Sequence, residues 1–214
     1  MTTNTITKPK LQELTLNALD VLDLFAGTSL MAHQKEDLSS LNCVALSAAG
    51  GLVKAVSTDR FKLLIGEITL DDTNLILDQI QIPLESAKRI IATLKALPKR
   101  MVKIPTITFT RAGDVLSVTV AALENSSTIT ITLGARGERD FPAYDHLFPA
   151  DKVAVDGIAF NPNFMALYGK VPTSNSSGTM LNFTFHGENK PATIKIPHDR
   201  ITWRGLIMPM RTIK

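Results

Sequence analysis

The chain has 214 residues, 44% of them hydrophobic and 20% charged, with a formal net charge of +3. Those proportions exclude a disordered chain, and no apolar run approaches the roughly 18 residues that a membrane span needs. A single cysteine, Cys43, excludes an internal disulfide, and mild basicity by itself names no partner, so a nucleic-acid role has to follow from where the charges sit.

Residues 1–9 are polar and Thr-rich, with no apolar core segment; they read as a disordered tail and not a signal peptide, which makes cytoplasmic the default location. Lys10 to Leu16 alternates as a strand, and Asn17 stands as the N-cap of a helix that Gly27 ends. Leu41 to Ala48, Gly51 to Ser57 and Phe61 to Ile68 read as three strands, with Gly50-Gly51 as a hairpin turn and Cys43 as a buried strand residue. The order of strand, helix and three strands then recurs. Leu75 to Ile82 is a strand, Pro83 opens a helix to about Leu97, and strands follow near Lys103 to Thr110, Val115 to Ala122 and Ser127 to Leu133. After a spacer at 134–152, Val153 to Phe160 begins a third copy, with a helix capped by Asn161-Pro162 and running to Gly169. Thr179 to His186, Pro191 to Ile196 and Ile201 to Met208 are its remaining strands.

The fold class is therefore α+β, built from repeated β-α-β-β-β units of about 55–65 residues. One such unit leaves sheet edges and a helix face bare, whereas two can share sheets and pair their helices. Residues 10–140 accordingly read as one complete two-unit domain, 141–150 as a linker and 151–214 as a half domain. The natural partner of that half is another copy of the chain.

The second helix carries an apolar arc of Leu84, Ala87, Ile90, Ile91, Leu94 and Leu97, with Lys88, Lys95 and Lys99 aligned on another face and Arg89 and Arg100 beside them. That stripe fits either a solvated helix face or point charges tracking a phosphate backbone without regard to sequence. The first helix carries Asp20 and Asp23 and no lysine, which argues against a uniform basic surface. Catalytic patterns are missing. No phosphate-cradling glycine loop or nucleophile elbow occurs, and His33, His146, His186 and His198 stand without a second ligand at metal spacing, so no metal, no cofactor and no enzyme activity are expected. Thr58 and Asp59 read as tight-turn residues, with Asp59 as a catalytic base the competing reading. The end of the sequence, Gly205-Leu-Ile-Met-Pro-Met-Arg-Thr-Ile-Lys214, reads either as a ragged final strand or as a soft apolar surface suited to a peptide.

Four segments, in order, resemble one family. Val56-Ser-Thr-Asp-Arg-Phe-Lys-Leu-Leu64 is similar to an Ala-Thr-Asp-Gly-His-Arg-Leu strand turn. Asp140-Phe-Pro-Ala-Tyr-Asp-His-Leu-Phe-Pro149 resembles a Glu-Phe-Pro-Asp-Tyr interdomain segment, Ala159-Phe-Asn-Pro-Asn-Phe-Met-Ala-Leu167 a Phe-Asn-x-x-Tyr-Leu helix start, and Met208-Pro-Met-Arg211 a C-terminal Met-Pro-Met-Arg-Leu. The family is the bacterial sliding clamp, the β subunit of DNA polymerase III. The resemblance implies a DNA-clamp fold with helices inside and sheets outside a ring, and a non-enzymatic processivity factor that encircles double-stranded DNA. It also implies a clamp loader as partner and a DNA polymerase that docks a short linear motif in a pocket, with no membrane association. The pocket positions would be Thr58, Leu63, Pro149, Leu206, Met208, Pro209, Met210 and Arg211, and the DNA-facing residues Lys88, Arg89, Lys95 and Lys99.

Two departures accompany the resemblance. Arg60-Phe61-Lys62 stands where the family has Gly-His-Arg, and the chain carries three units where the bacterial subunit carries six. Such a shortened clamp suits a virus, a phage for instance, or another mobile element. A twelve-unit ring then takes four copies, a tetramer; a four-unit chain would form a trimer. The alternative is a clamp-like decoy or regulator that keeps the pocket without closing on DNA.

Overall fold

The computed structural model describes residues 11–74, 76–97, 104–121, 126–133, 140–174 and 178–211; the tail expected at 1–9 and Lys99 lie outside them. The first unit comprises β1 (Gln12–Asn17), α1 (Ala18–Ser29), β2 (Cys43–Ala49), β3 (Leu52–Thr58) and β4 (Lys62–Thr69). The second comprises β5 (Leu77–Pro83), α2 (Leu84–Lys95), β6 (Thr106–Ala112), β7 (Val115–Ala121) and β8 (Ser126–Thr132). The third holds α3 (Pro162–Tyr168), β9 (Asn182–Thr184), β10 (Ala192–Ile196) and β11 (Thr202–Ile207).

Local chemistry sets the boundaries. The side chain of Asn17 accepts a hydrogen bond from Leu19 N at 2.8 Å, and that of Asn161 accepts one from Asn163 N at 2.9 Å, each satisfying a donor that the first helical turn leaves free. Gly50 and Gly51, at φ +58° and +77°, turn β2 into β3 with the backbone that matches strand twist.

The units are not closed modules. β1 pairs with β6 and β5 pairs with β2, so the first strand of each unit completes the sheet of the other. One sheet runs β1-β6-β7-β8, and the other runs β5-β2-β3-β4-β11-β10-β9. α1 packs on α2, and Val21, Leu24, Phe25, Leu46, Phe109 and Leu116 are wholly buried in the core that the helices form with the inner sheet faces.

The third unit joins through β11, which pairs antiparallel with β4 from Lys62↔Ile207 to Glu67↔Thr202. Trp203 seals that joint. A Cβ on Gly66 would lie 2.5 Å from both Leu24 Cδ1 and Trp203 Cζ3, and one on Gly27 would lie 2.6 Å from Trp203 Cη2. Gly27 therefore makes room for an indole and does not end its helix, which continues to Ser29.

One further expectation changes. The strand expected at Val153 to Phe160 does not form; that stretch makes only isolated bridges, Val153↔His186 and Ala159↔Met210. β1 and β5 each take their register from the opposite unit, whereas among the described residues no fourth unit pairs with the third. Residues 141–150, expected as a linker, pack on the sheet, with Phe141 buried. Among the described residues no helix is long and apolar enough to cross a membrane.

Gly66→Ala is expected to lower stability by about 1–3 kcal/mol, because backbone and indole must separate to admit the methyl group. Urea unfolding read by fluorescence of Trp203, the only tryptophan, measures this; an unchanged midpoint would mean the joint is looser than its contacts indicate.

Candidate functional site

Central strands of the larger sheet are buried on both faces, so each side chain parity has its own task. Val44, Leu46 and Leu64 point into the helix-side core, while Cys43, Ala45, Val56, Leu63, Ile65 and Leu206 form a second apolar cluster on the opposite face. Residues 140–150 cross that outer cluster. Phe141 inserts into it, Tyr144 meets Phe141 edge-on at 6.1 Å, and Phe148 lies under the Arg204 guanidinium at 5.2 Å. Arg204 is held in turn by Glu67 at 2.9 Å. Burial of the cluster pushes the Cys43 thiol up to about 12, which keeps it neutral and unreactive.

Between this crossing segment and the β4–β11 joint lies a cavity of about 530 Å³, lined by Thr58, Leu63, Leu206 and Met208 from the strands. Phe61, Pro142, Tyr144 and Leu147 add apolar wall, and Arg60 and Asp140 add opposite charges. Four of the eight pocket positions expected from sequence thus share one cavity. Pro149, Pro209, Met210 and Arg211 are outside its lining. Met210 instead donates its backbone N–H to Ala159 O at 2.8 Å, with its side chain 52% exposed, and Arg211 is exposed. Sequence reasoning missed Phe61, Tyr144 and Leu147. The aromatic density of Phe141 to Phe148 was the available signal, since an extended polar linker has no need of three aromatic rings.

The rim is shaped by the turn that joins β3 to β4. Asp59 Oδ1 accepts from Phe61 N at 3.0 Å and Lys62 N at 2.9 Å, and Thr58 Oγ1 donates to Lys62 O at 2.8 Å while accepting from Arg60 N at 3.2 Å. Arg60 takes φ +80°, the left-handed conformation that this tight turn requires. Asp59 Oδ2 lies 2.5 Å from Lys62 Nζ, and that ammonium also reaches Met31 O at 3.4 Å and stands 5.3 Å from the centre of the Phe164 ring. Asp59 is a structural turn residue with both carboxylate oxygens engaged. The competing reading of it as a base finds no support here, since Asp59 is not among the residues that line the cavity.

The helices carry unlike charge. Lys88, Arg89 and Lys95 are exposed on α2, with Lys88 Nζ 3.3 Å from Gln34 Oε1. Asp20 and Asp23 on α1 face the β10–β11 turn: Arg200 Nη2 donates to Asp23 Oδ2 at 3.2 Å, and Arg200 Nε lies 2.9 Å from Asp20 Oδ1, paired in charge without the alignment of a hydrogen bond. Burial raises the Asp20 carboxyl above its ordinary range, with Arg200 opposing the shift. His198 Nδ1 accepts from Arg200 N and Ile201 N, both at 3.1 Å, so its protonated Nε2 faces Asp23 Oδ2 at 3.4 Å. Among the described residues no group of three or more potential ligands could hold a metal ion.

Units that exchange first strands, pair their helices on one side and join sheets edge to edge on the other define the α+β DNA-clamp fold. Solved bacterial sliding clamps share it. The chain is similar to the DNA polymerase III β subunit of Thermotoga maritima (16% identity, TM-score 0.73, covering 100% of this chain and 70% of that one). It is also similar to the DNA polymerase III β chain of Streptococcus pneumoniae (18%, TM-score 0.73, 99% and 69%) and to the DNA polymerase sliding clamp of Bacillus subtilis (15%, TM-score 0.73, 98% and 68%). The chain spans about seven-tenths of the length of these structures. No protein-family model matches its sequence, and no curated protein does.

Asp59→Ala removes the acceptor of two backbone donors and the counter-charge of a buried ammonium, so a loss of about 3–5 kcal/mol is expected. Asp59→Asn keeps one acceptor oxygen and is expected to lose less. Thermal unfolding of the two variants against the parent protein checks the order; equal losses would remove Oδ1 from the turn's support.

Proposed function

We propose that this protein is a DNA sliding clamp: a non-enzymatic cytoplasmic processivity factor, copies of which close around duplex DNA and tether a DNA polymerase through a short peptide motif. The observation that carries this reading is the apolar cavity at the β4–β11 joint of a clamp fold, where Thr58, Leu63, Leu206 and Met208 meet. An apolar peptide anchor gains by leaving water there, and the backbone groups and charges of the rim fix its register. Residues 10–140 act as one full clamp domain and 151–214 as half of another. With three units per chain, four copies make a ring of twelve.

Met208, Leu63 and Leu206 are the proposed anchor walls. Pro149, Pro209, Met210 and Arg211, outside the lining, are the proposed contacts for the ends of a longer peptide. Lys88, Arg89 and Lys95, with Lys99 beyond the described residues, are the proposed DNA-facing charges. Their contacts would be to phosphate, independent of sequence and weakened by salt. A loader that opens the ring is the remaining proposed partner.

Closure on DNA has a topological signature: the protein should remain on a nicked circle and be lost when the circle is cut to a linear form. Equal retention on both forms would sink the encircling role and leave a decoy that binds clamp partners. A clamp-binding peptide should lose about 1–3 kcal/mol of affinity on Met208→Ala and less on Met210→Ala, measured by calorimetry; unchanged affinity for Met208→Ala would remove the cavity as its site. Lys88→Glu combined with Lys95→Glu should shorten retention on the circle without moving the unfolding midpoint, and no change at low salt would return α2 to a solvated face.

A further inference from the structure

From its helix onward the third unit repeats the element order of the first two, but its core face is only partly covered. Four residues past the N-cap of each helix stand Val21 in α1, Ala87 in α2 and Met165 in α3; the first two are fully buried and Met165 is half-exposed. The strand after each helix shows the same contrast. Val44 and Leu46 in β2, and Ile107 and Phe109 in β6, are fully buried, whereas Phe183 in β9 and Phe185 just beyond it are half-exposed. Phe183 nonetheless lies on the core side, paired with the buried Ile194. Phe160, Phe183 and Phe185 stack on one another at 6.0 to 6.5 Å between ring centres. β9 is also the last strand of its sheet, while β2 and β6, its counterparts, each gain a further neighbour from the opposite unit.

What covers these positions in the first two units is on the same chain: the helix and the first strand of the other unit. We propose that two copies pair through their third units, α3 against α3, with residues 153–160 of each copy completing the β9 edge of the other. The domain so formed is the one that the first two units form within the chain, made symmetric. A second copy is the occupant because the internal pairing joins like elements about an approximate two-fold, and a true two-fold needs only one face that fits itself. The charged residues next to residues 153–160 and α3 in sequence are of both signs, Asp151 and Asp156 with Lys152 and Lys170, all exposed, so doubling the face accumulates no single charge. In this arrangement 153–160 acquires the strand partner it lacks within one chain. The inference deepens the clamp reading and rests on it only for the second contact that would close a ring.

Light scattering on the full chain at tens of micromolar is expected to show a dimer or a tetramer, and Phe185→Glu to halve that mass with the far-ultraviolet dichroism unchanged. A monomeric parent, or a folded variant of undiminished mass, would overturn the pairing. Should Phe185→Glu not fold, Ala166→Cys, exposed on α3, decides: a short bismaleimide should give a covalent dimer with Ala166→Cys and none with the parent, whose Cys43 is buried and inert. Absence of that dimer overturns the pairing as well. The two readings fail separately. Mass that halves without retention on circular DNA removes the ring and keeps the pairing; retention on the circle with mass unaltered by Phe185→Glu does the reverse.

Discussion

The pairing of β4 with β11 is the constraint on which the rest of the molecule depends. One pair from its end Leu63 faces Leu206, and the hydroxyl of Tyr168, buried against the helix side, lies 3.0 Å from the carbonyl of the first and 2.5 Å from that of the second. Burial raises that phenol's pKa further from neutrality, so it remains a donor. The side chains of the same two leucines point the other way, into the cavity. One backbone pair therefore fixes both the seat of α3 on one face of the sheet and the wall of the groove on the other. Gly205 belongs to this arrangement: a Cβ there would stand 2.8 Å from the Tyr168 ring.

Charge follows the same joint. The β10–β11 turn delivers the Arg200 guanidinium onto Asp20 and Asp23 of α1, with His198 Nε2 beside Asp23, which offsets part of an acidity that would otherwise weaken any attraction of this side of the molecule for phosphate. The acidic character of α1, which spoke in the sequence against a nucleic-acid surface, is thus in part an internal matter between the first unit and the third. The cations of α2 have no such carboxylate partner among the described ion pairs, and Lys88 meets only a neutral amide.

What the sequence revealed and what it concealed divide along one line. Features fixed by near neighbours were legible: Asn17 and Asn161 as caps, the Gly50-Gly51 hairpin, and the Thr58-Asp59 turn all act within a few residues. The repeat was legible for the same reason, since each unit restates its own periodicity. Features fixed by distant partners were not. Gly27 looked like a helix stop because nothing nearby discloses the indole 176 positions later in sequence. Residues 153–160 are mostly apolar, with β-branched Val153, Val155 and Ile158, yet such composition supplies no partner; a strand also needs an edge to join. For the groove, the C-terminal methionines were visible as a pair, and strand parity would keep them on one face; past the end of β11, however, the bond from Met210 N to Ala159 O takes the chain elsewhere, leaving Met208 in the cavity lining and Met210 outside it.

Exchange of first strands carries a consequence for any chain built this way. A unit that lends its leading strand and borrows another's is complete only in twos, because both the sheet edge and the core face of each are finished by its opposite. Adding a unit by edge pairing alone, as β11 does on β4, extends the sheet without satisfying that requirement. The deficit then appears as specific local facts: a β9 of three residues, an isolated bridge where a strand should run, and two phenylalanines half-exposed at positions where the first two units bury theirs completely. The physical penalty falls on apolar surface and on unpaired backbone groups together, and both are relieved by the same partner.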